Sequence, residues 1–68
     1  MVKIRGIEGT LVEIDTDTNQ VVISNSKGEG MIYTVDGKID VKTLEDSLLL
    51  DVKATLYDNK LVKIAEKP

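Results

Sequence analysis

The chain has 68 residues, enough for one small domain, and a chain of this length buries only about 60% of the surface that its unfolded form exposes. It contains neither cysteine nor histidine, which excludes disulfides, thiolate zinc sites and catalysis by either residue. Its twelve acidic and nine basic residues give a net charge of −3 and are spread along the whole length. This balance argues against a dedicated binder of duplex DNA or RNA, which needs a clustered basic surface.

The sequence also indicates where in the cell the protein resides. No apolar run approaches the roughly 18 to 20 residues that span a bilayer, and the N-terminus lacks the apolar segment of a signal peptide. The lack of cysteine fits a reducing compartment, so we expect a cytoplasmic protein with no membrane partner. The even spread of charge favours a free-standing protein, a single domain over residues 1–68, rather than a domain excised from a longer chain.

Alternating apolar residues predict three strands in the first half of the chain. The first runs from about residue 3 to residue 14 and bends near Gly6 and Gly9, where missing side chains permit a bulge or a barrel corner. A polar turn at 15–19 leads into the second strand at 20–24, and a loop at 25–30 leads into the third at 31–35. Hairpins therefore connect these three strands in order.

The second half begins with an irregular, charged segment. The spacing of its apolar residues predicts a crossover with one helical turn around 43–46, which Thr43 would cap. The segment 48–56 then alternates strictly with a period of two, which is typical of a strand with one face in a core. The residues on that face are Leu48, Leu50, Val52, Ala54 and Leu56.

The last two strands form a hairpin around residues 58–60. A three-residue loop sets Leu56 opposite Val62 and Ala54 opposite Ile64, which keeps both apolar sets on one face. Asn59 or Lys60 would then take the left-handed conformation. Three strands, a crossover with a helical turn and a final hairpin predict an all-β, five-stranded barrel of OB-like form, with an SH3-like or Sm-like barrel as the alternative.

The first hairpin carries a motif of its own. Gly9, Leu11, Ile14, Asp15 and Asn19 have the spacing of the first motif of Sm and Sm-like proteins, and the stretch from Gly9 to Ile23 resembles the bent hairpin of that family. In Sm-like proteins this hairpin lines an RNA-binding pore within a ring. The resemblance implies that Asp15, Thr18 and Asn19 are candidate contacts.

The sequence contains no convincing motif for metal binding or catalysis. Asp15, Asp17 and Asn19 match the opening of a calcium loop, but Gln20 and Ser26 stand where an EF-hand requires glycine and glutamate, so no metal site is predicted. A barrel of this size fills its interior with its own side chains and leaves no deep catalytic pocket. We therefore expect a protein that is not an enzyme and binds no cofactor.

The leading functional hypothesis is a protein-interaction module, such as an adaptor, an inhibitor or an assembly component. If the Leu48 face is the core, the opposite face of the last hairpin is a mixed apolar and basic surface, which would bind a partner or a second copy of the chain. The residues of this predicted face are Leu49, Lys53, Thr55, Tyr57, Leu61 and Lys63.

The alternative hypothesis is a single-stranded nucleic-acid-binding barrel. It is less favoured because the chain has only two aromatic residues, whereas binding by base stacking uses several. The residues that would bind a strand are Arg5, Tyr33, Lys53, Tyr57 and Lys63.

Overall fold

Five strands and one short helix follow one another within residues 2–68, the part of the chain that the computed structural model describes. The strands are β1 (Ile4–Asp15), β2 (Gln20–Ser24), β3 (Gly30–Val35), β4 (Asp51–Tyr57) and β5 (Lys60–Glu66), and a 3-10 helix, Val41–Ser47, lies between β3 and β4. No helix within residues 2–68 is long and apolar enough to cross a membrane. The predicted all-β fold, with a helical turn before the last hairpin, is confirmed.

The strands close into a barrel in the order β1-β2-β3-β5-β4. The long β1 makes this closure possible, because residues 4–10 pair with β4 and residues 10–15 pair with β2. Every pairing is antiparallel except that of β3 with β5, which is parallel and consists of two residue pairs, Thr34 with Lys60 and Val35 with Leu61. This strand order, with the helix between the third and fourth strands, is the OB-like form of the predicted barrel.

The core lies inside the barrel and is entirely apolar. Each strand contributes inward side chains, and the 3-10 helix adds two of its own. The buried residues are Leu11, Val21, Ile23, Val35, Val41, Leu44, Val52, Ala54, Leu56 and Leu61. Such burial is the main source of stability in a domain of this size.

The first strand has a bulge at Val12, whereas the sequence predicted a bend or bulge near Gly6 and Gly9; it changes partner from β4 to β2 at Thr10, next to Gly9. Leu11 lies opposite Ile23 and Glu13 lies opposite Val22, so Val12 is the extra residue. Leu11 and Ile14 are three positions apart and could not both face the core of a regular strand, and the bulge allows them to do so. At Gly9 the fold requires a glycine, because a Cβ there would overlap the carbonyl oxygen of Ser24.

A second bulge corrects the predicted register of the last hairpin. The loop has two residues, Asp58 and Asn59, both with positive φ, where three residues were expected. Tyr57 therefore lies opposite Lys60 and Leu56 opposite Leu61, and the register then shifts by one at Val62. Beyond this bulge Ala54 lies opposite Ile64, as predicted.

The fourth strand is shorter than the alternation predicted, because it begins at Asp51. Leu48 ends the 3-10 helix, and Leu49 has φ 68°, which is incompatible with a strand. The N–H of Leu49 donates to the carbonyl of Leu11, and the carbonyl of Leu50 accepts from the N–H of Leu11. Residues 49–50 therefore stay beside β1 without regular strand geometry. The three leucines 48–50 are all substantially exposed, and the prediction that Leu48 and Leu50 face the core is wrong.

The cap of the 3-10 helix is also different from the predicted one. Oδ1 of Asp40 accepts a hydrogen bond of 3.0 Å from the backbone N–H of Lys42. The hydroxyl of Thr43 donates to the carbonyl of Asp40 and so reinforces the same turn from inside the helix. The helix starts two residues before Thr43 because Val41 joins Leu44 in the core.

Candidate functional site

Four of the predicted interaction residues share one surface on the outside of the barrel. Lys53, Thr55 and Tyr57 alternate along β4 with three buried residues and therefore point outward. Lys63 of β5 lies opposite Thr55 and points the same way. The structure thus brings these four side chains together across one antiparallel pair of strands.

The other two predicted residues lie elsewhere. Leu61 is completely buried, because the two-residue loop pairs it with Leu56, so its predicted place on the outer face is wrong. Leu49 is 68% exposed, but it is hydrogen-bonded to Leu11, seven residues along β1 from the partner of Tyr57. At about 3.3 Å per residue this places Leu49 roughly 23 Å from Tyr57, at the far end of the barrel.

The first strand completes the surface, a contribution that the pattern of β4 and β5 alone does not predict. Ile4 lies opposite Tyr57, Gly6 opposite Thr55 and Glu8 opposite Lys53. We call the outward side chains of these three strands the outer face. Its members are Ile4, Gly6, Glu8 and Thr10 of β1, Asp51, Lys53, Thr55 and Tyr57 of β4, and Lys60, Lys63 and Ala65 of β5.

A shallow depression of about 550 Å³ lies in the middle of the outer face. Gly6 and Thr55 form its floor, and Glu8, Lys53 and Lys63 stand around it. The smallest outward residues of its lining are Gly6 of β1, Thr55 of β4 and Ala65 of β5, and Gly6 has no side chain to cover the backbone of β1 there. The depression can therefore accept a ligand group that approaches the backbone closely.

An ion-pair cluster borders the depression. Nζ of Lys67 donates a 3.0 Å hydrogen bond to one oxygen of Glu8, and Nζ of Lys53 lies 3.6 Å from the other oxygen. The hydrogen bond and charge of Lys67, with a smaller contribution from Lys53, hold the pKa of the Glu8 carboxyl below its ordinary value. All three side chains are solvent-exposed, so the cluster orders the surface more than it stabilises the fold.

The five residues predicted to bind nucleic acid do not share one surface. Lys53, Tyr57 and Lys63 lie on the outer face, but Tyr33 of β3 lies opposite buried Val21 and packs against the core. Arg5 lies opposite the buried Leu56 of β4, so it is not on the same side of the sheet as Lys53, Tyr57 and Lys63. The only aromatic side chain of the outer face is therefore Tyr57.

The residues implicated by the Sm-like motif lie in the turn between β1 and β2. Oδ1 of Asp15 accepts hydrogen bonds from the N–H groups of Asp17 and Thr18, at 3.0 and 3.3 Å. Nδ2 of Asn19 donates to the carbonyl of Val35 at 2.7 Å, which fixes the turn to the end of β3. These contacts explain the residue types through the turn itself, and RNA binding at this hairpin stays a prediction.

A separate polar cleft of about 350 Å³ lies beside Gly9, between the β2–β3 loop and the start of β4. Four of its side chains are paired, since Thr10 donates to Asp51 at 3.0 Å and Lys67 to Glu8. Within residues 2–68, no three potential metal-ligating side chains come together.

The chain has no significant match among protein-family models, curated proteins or solved structures.

Proposed function

We propose that the chain is a non-catalytic protein-interaction module that binds its partner through the outer face. The observation that carries this proposal is the pairing of Ile4 with Tyr57, which are 68% and 48% exposed and lie side by side next to the depression. An exposed tyrosine beside an aliphatic side chain supplies a large contact area with little loss of conformational entropy on binding. The lysines around the pair would favour the encounter with a partner and orient it.

The opposite side of the barrel offers a matched comparison. Ile32 of β3 is 67% exposed and lies opposite Val22, so it is an exposed apolar residue outside the outer face. Glu13 and Asp15 line a smaller depression together with Ile32, and their carboxylates make that side of the barrel acidic. A charge introduced at Ile32 therefore controls for the general effect of removing exposed apolar surface.

The test compares Tyr57→Glu with Ile32→Glu. We would measure the solution mass by light scattering and the proteins retained from an extract of the source organism by each immobilised variant. The proposal predicts that a dimer, or a specific retained partner, survives Ile32→Glu and is lost with Tyr57→Glu. Equal behaviour of the two variants would show that the outer face is not the site.

Binding of single-stranded nucleic acid is the second candidate. Only the common position of Lys53, Tyr57 and Lys63 favours it. Affinity for an oligonucleotide that falls steeply with salt would identify this function, because phosphate binding releases counterions.

The lack of cysteine supports a proposed location in the cytoplasm.

A further inference from the structure

The outer face collects positive charge on a protein that is negative as a whole. Lys53, Lys60 and Lys63 project from it, and Lys67 follows directly after β5, so four of the nine basic residues lie together. The outward positions of the strands place two carboxylates, Glu8 and Asp51, among them. Of the nearby exposed carboxylates, Asp58 lies in the hairpin turn and Glu66, at the end of β5, accepts from the hydroxyl of Ser47.

These charges are not fully paired. Lys53 and Lys67 both contact Glu8, whereas within residues 2–68 no carboxylate lies within 4 Å of the ammonium groups of Lys60 or Lys63. The hydroxyl of Thr10 donates to Asp51, which turns that carboxylate toward β1. Two ammonium groups therefore remain available at the side of the depression away from Glu8.

Neither steric contacts nor the backbone conformation require a glycine at Gly6, in the floor of the depression. A Cβ at Gly6 would meet no atom nearer than the carbonyl oxygen of Ala54, at 3.9 Å, which is an ordinary contact. The φ angle of Gly6 is not in the left-handed region either, in contrast to that of Gly28. A glycine weakens a strand interior and marks a bulge, a bend at a barrel corner or a close approach by another backbone or a ligand. The pairing of β1 with β4 is regular through Gly6, so no bulge accounts for it, and its place in the floor of the depression favours a close approach.

We propose that the depression over Gly6 binds an extended acidic peptide segment of the protein partner, an inference that rests on the proposed function. The peptide backbone lies over Gly6 and Thr55, and its carboxylates meet Lys60 and Lys63. Complementary charge supplies the specificity and speeds association. Tyr57 and Ile4, at one end of the depression, bind the apolar residues of the same segment.

A peptide fits this surface better than a nucleic acid strand does. Glu8 and Asp51 lie within the same face, and a phosphodiester chain, which carries a charge at every nucleotide, would have to pass them. A peptide can place neutral side chains near Glu8 and acidic ones near Lys63. The face also has only one aromatic side chain on which a base could stack.

The experiment titrates the ¹⁵N-labelled protein with three probes and follows its amide resonances. The probes are a short peptide that alternates glutamate with threonine, the same peptide with glutamine in place of glutamate, and a single-stranded oligothymidylate. The variants are Gly6→Val, which fills the depression without a change of charge, and Lys63→Glu, which reverses a charge beside it. Lys38→Glu is the matched control, because Lys38 is exposed in the connection between β3 and the 3-10 helix.

We expect the acidic peptide to bind the wild-type protein and to shift the amides around Gly6, Thr55 and Lys63. Gly6→Val and Lys63→Glu should each weaken this binding by about tenfold or more. Lys38→Glu should leave it nearly unchanged, and Gly6→Val should unfold at the same temperature as the wild type or a higher one.

Different failures have different meanings. Equal affinity for the glutamine peptide, or no binding of either peptide, would overturn the acidic specificity but not the interaction module, which the Tyr57→Glu comparison tests separately. Unchanged binding by a folded Gly6→Val protein would overturn the role of the depression. Preferential binding of the oligothymidylate would overturn both proposals.

Discussion

Leu56 lies directly opposite Leu61 across β4 and β5, and both side chains are almost completely removed from solvent. This pair is possible because a two-residue turn precedes it and a bulge at Val62 follows it. Leu61 and Ile64, which are three positions apart, can both face the core for this reason. The same bulge turns Lys63 outward, opposite Thr55, and so determines which residues form the outer face.

The register of the last hairpin can be tested by replacing two neighbouring residues, one at a time, with alanine. Leu61→Ala should lower the free energy of unfolding by about 2–5 kcal/mol, the usual cost for a buried leucine. A chain of this length has about 3–10 kcal/mol in total, so this variant should be close to unfolding. Val62→Ala should cost less than about 1 kcal/mol, because Val62 is partly exposed at the bulge. Urea denaturation followed by circular dichroism measures both losses. A larger loss for Val62→Ala than for Leu61→Ala would contradict the two-residue loop and favour the three-residue loop.

The two glycines of β1 should respond in opposite ways to a methyl group. Gly9→Ala places Cβ against the carbonyl oxygen of Ser24 and 2.8 Å from a methyl carbon of Ile23, so we expect a loss of about 1–3 kcal/mol. Gly6→Ala meets no close atom and restricts the unfolded chain, so it should be neutral or stabilising by up to about 1 kcal/mol. Thermal unfolding of both variants checks this. A destabilised Gly6→Ala protein would mean that the fold itself requires this glycine.

Much of the fold, but less of the site, could be predicted from the sequence. Alternation identified all five strands because a half-buried strand has a period of two, and the polar turns identified their order. The spacing of three between Leu11 and Ile14, and between Leu61 and Ile64, is a local signal for the two bulges, because residues three apart point to opposite faces of a regular strand. The positive φ of Leu49 has no local signal, because a hydrogen bond to the distant Leu11 holds it. The place of Gly6 in the outer face likewise depends on its pairing with Thr55, far along the chain.

Asn19 should contribute to stability through its conformation and its side chain. Its φ is 57°, its Nδ2 donates to the carbonyl of Val35, and its own carbonyl accepts from the N–H of Val35. Asn19→Gly removes only the side-chain bond and should cost about 0.5–1.5 kcal/mol. Asn19→Ala adds the strain of a left-handed alanine, about 1 kcal/mol more. Chemical denaturation of the two variants distinguishes these contributions, and equal losses would contradict the left-handed conformation.

The Glu8 carboxyl should titrate below its ordinary pKa of 4.5. Because the pKa is lower in the folded state, ionised Glu8 stabilises the fold above the unfolded value, and this contribution is lost as the pH falls through the folded value. Side-chain carboxyl NMR of the wild type measures the pKa directly. Lys67→Ala should raise it more than Lys53→Ala, because Lys67 makes the shorter contact. A larger effect of Lys53→Ala would contradict the geometry of the cluster.

The most direct test of the central claim, that the outer face binds an acidic segment of a protein partner, is the map of amide shifts when the acidic peptide is added to the wild-type protein. The account predicts that the shifts cluster on β1, β4 and β5 around Gly6, Thr55 and Tyr57, and that the glutamine peptide gives a weaker version of the same map. Shifts confined to β2 and β3 around Val22 and Ile32 would contradict it, because they would place binding on the opposite side of the barrel.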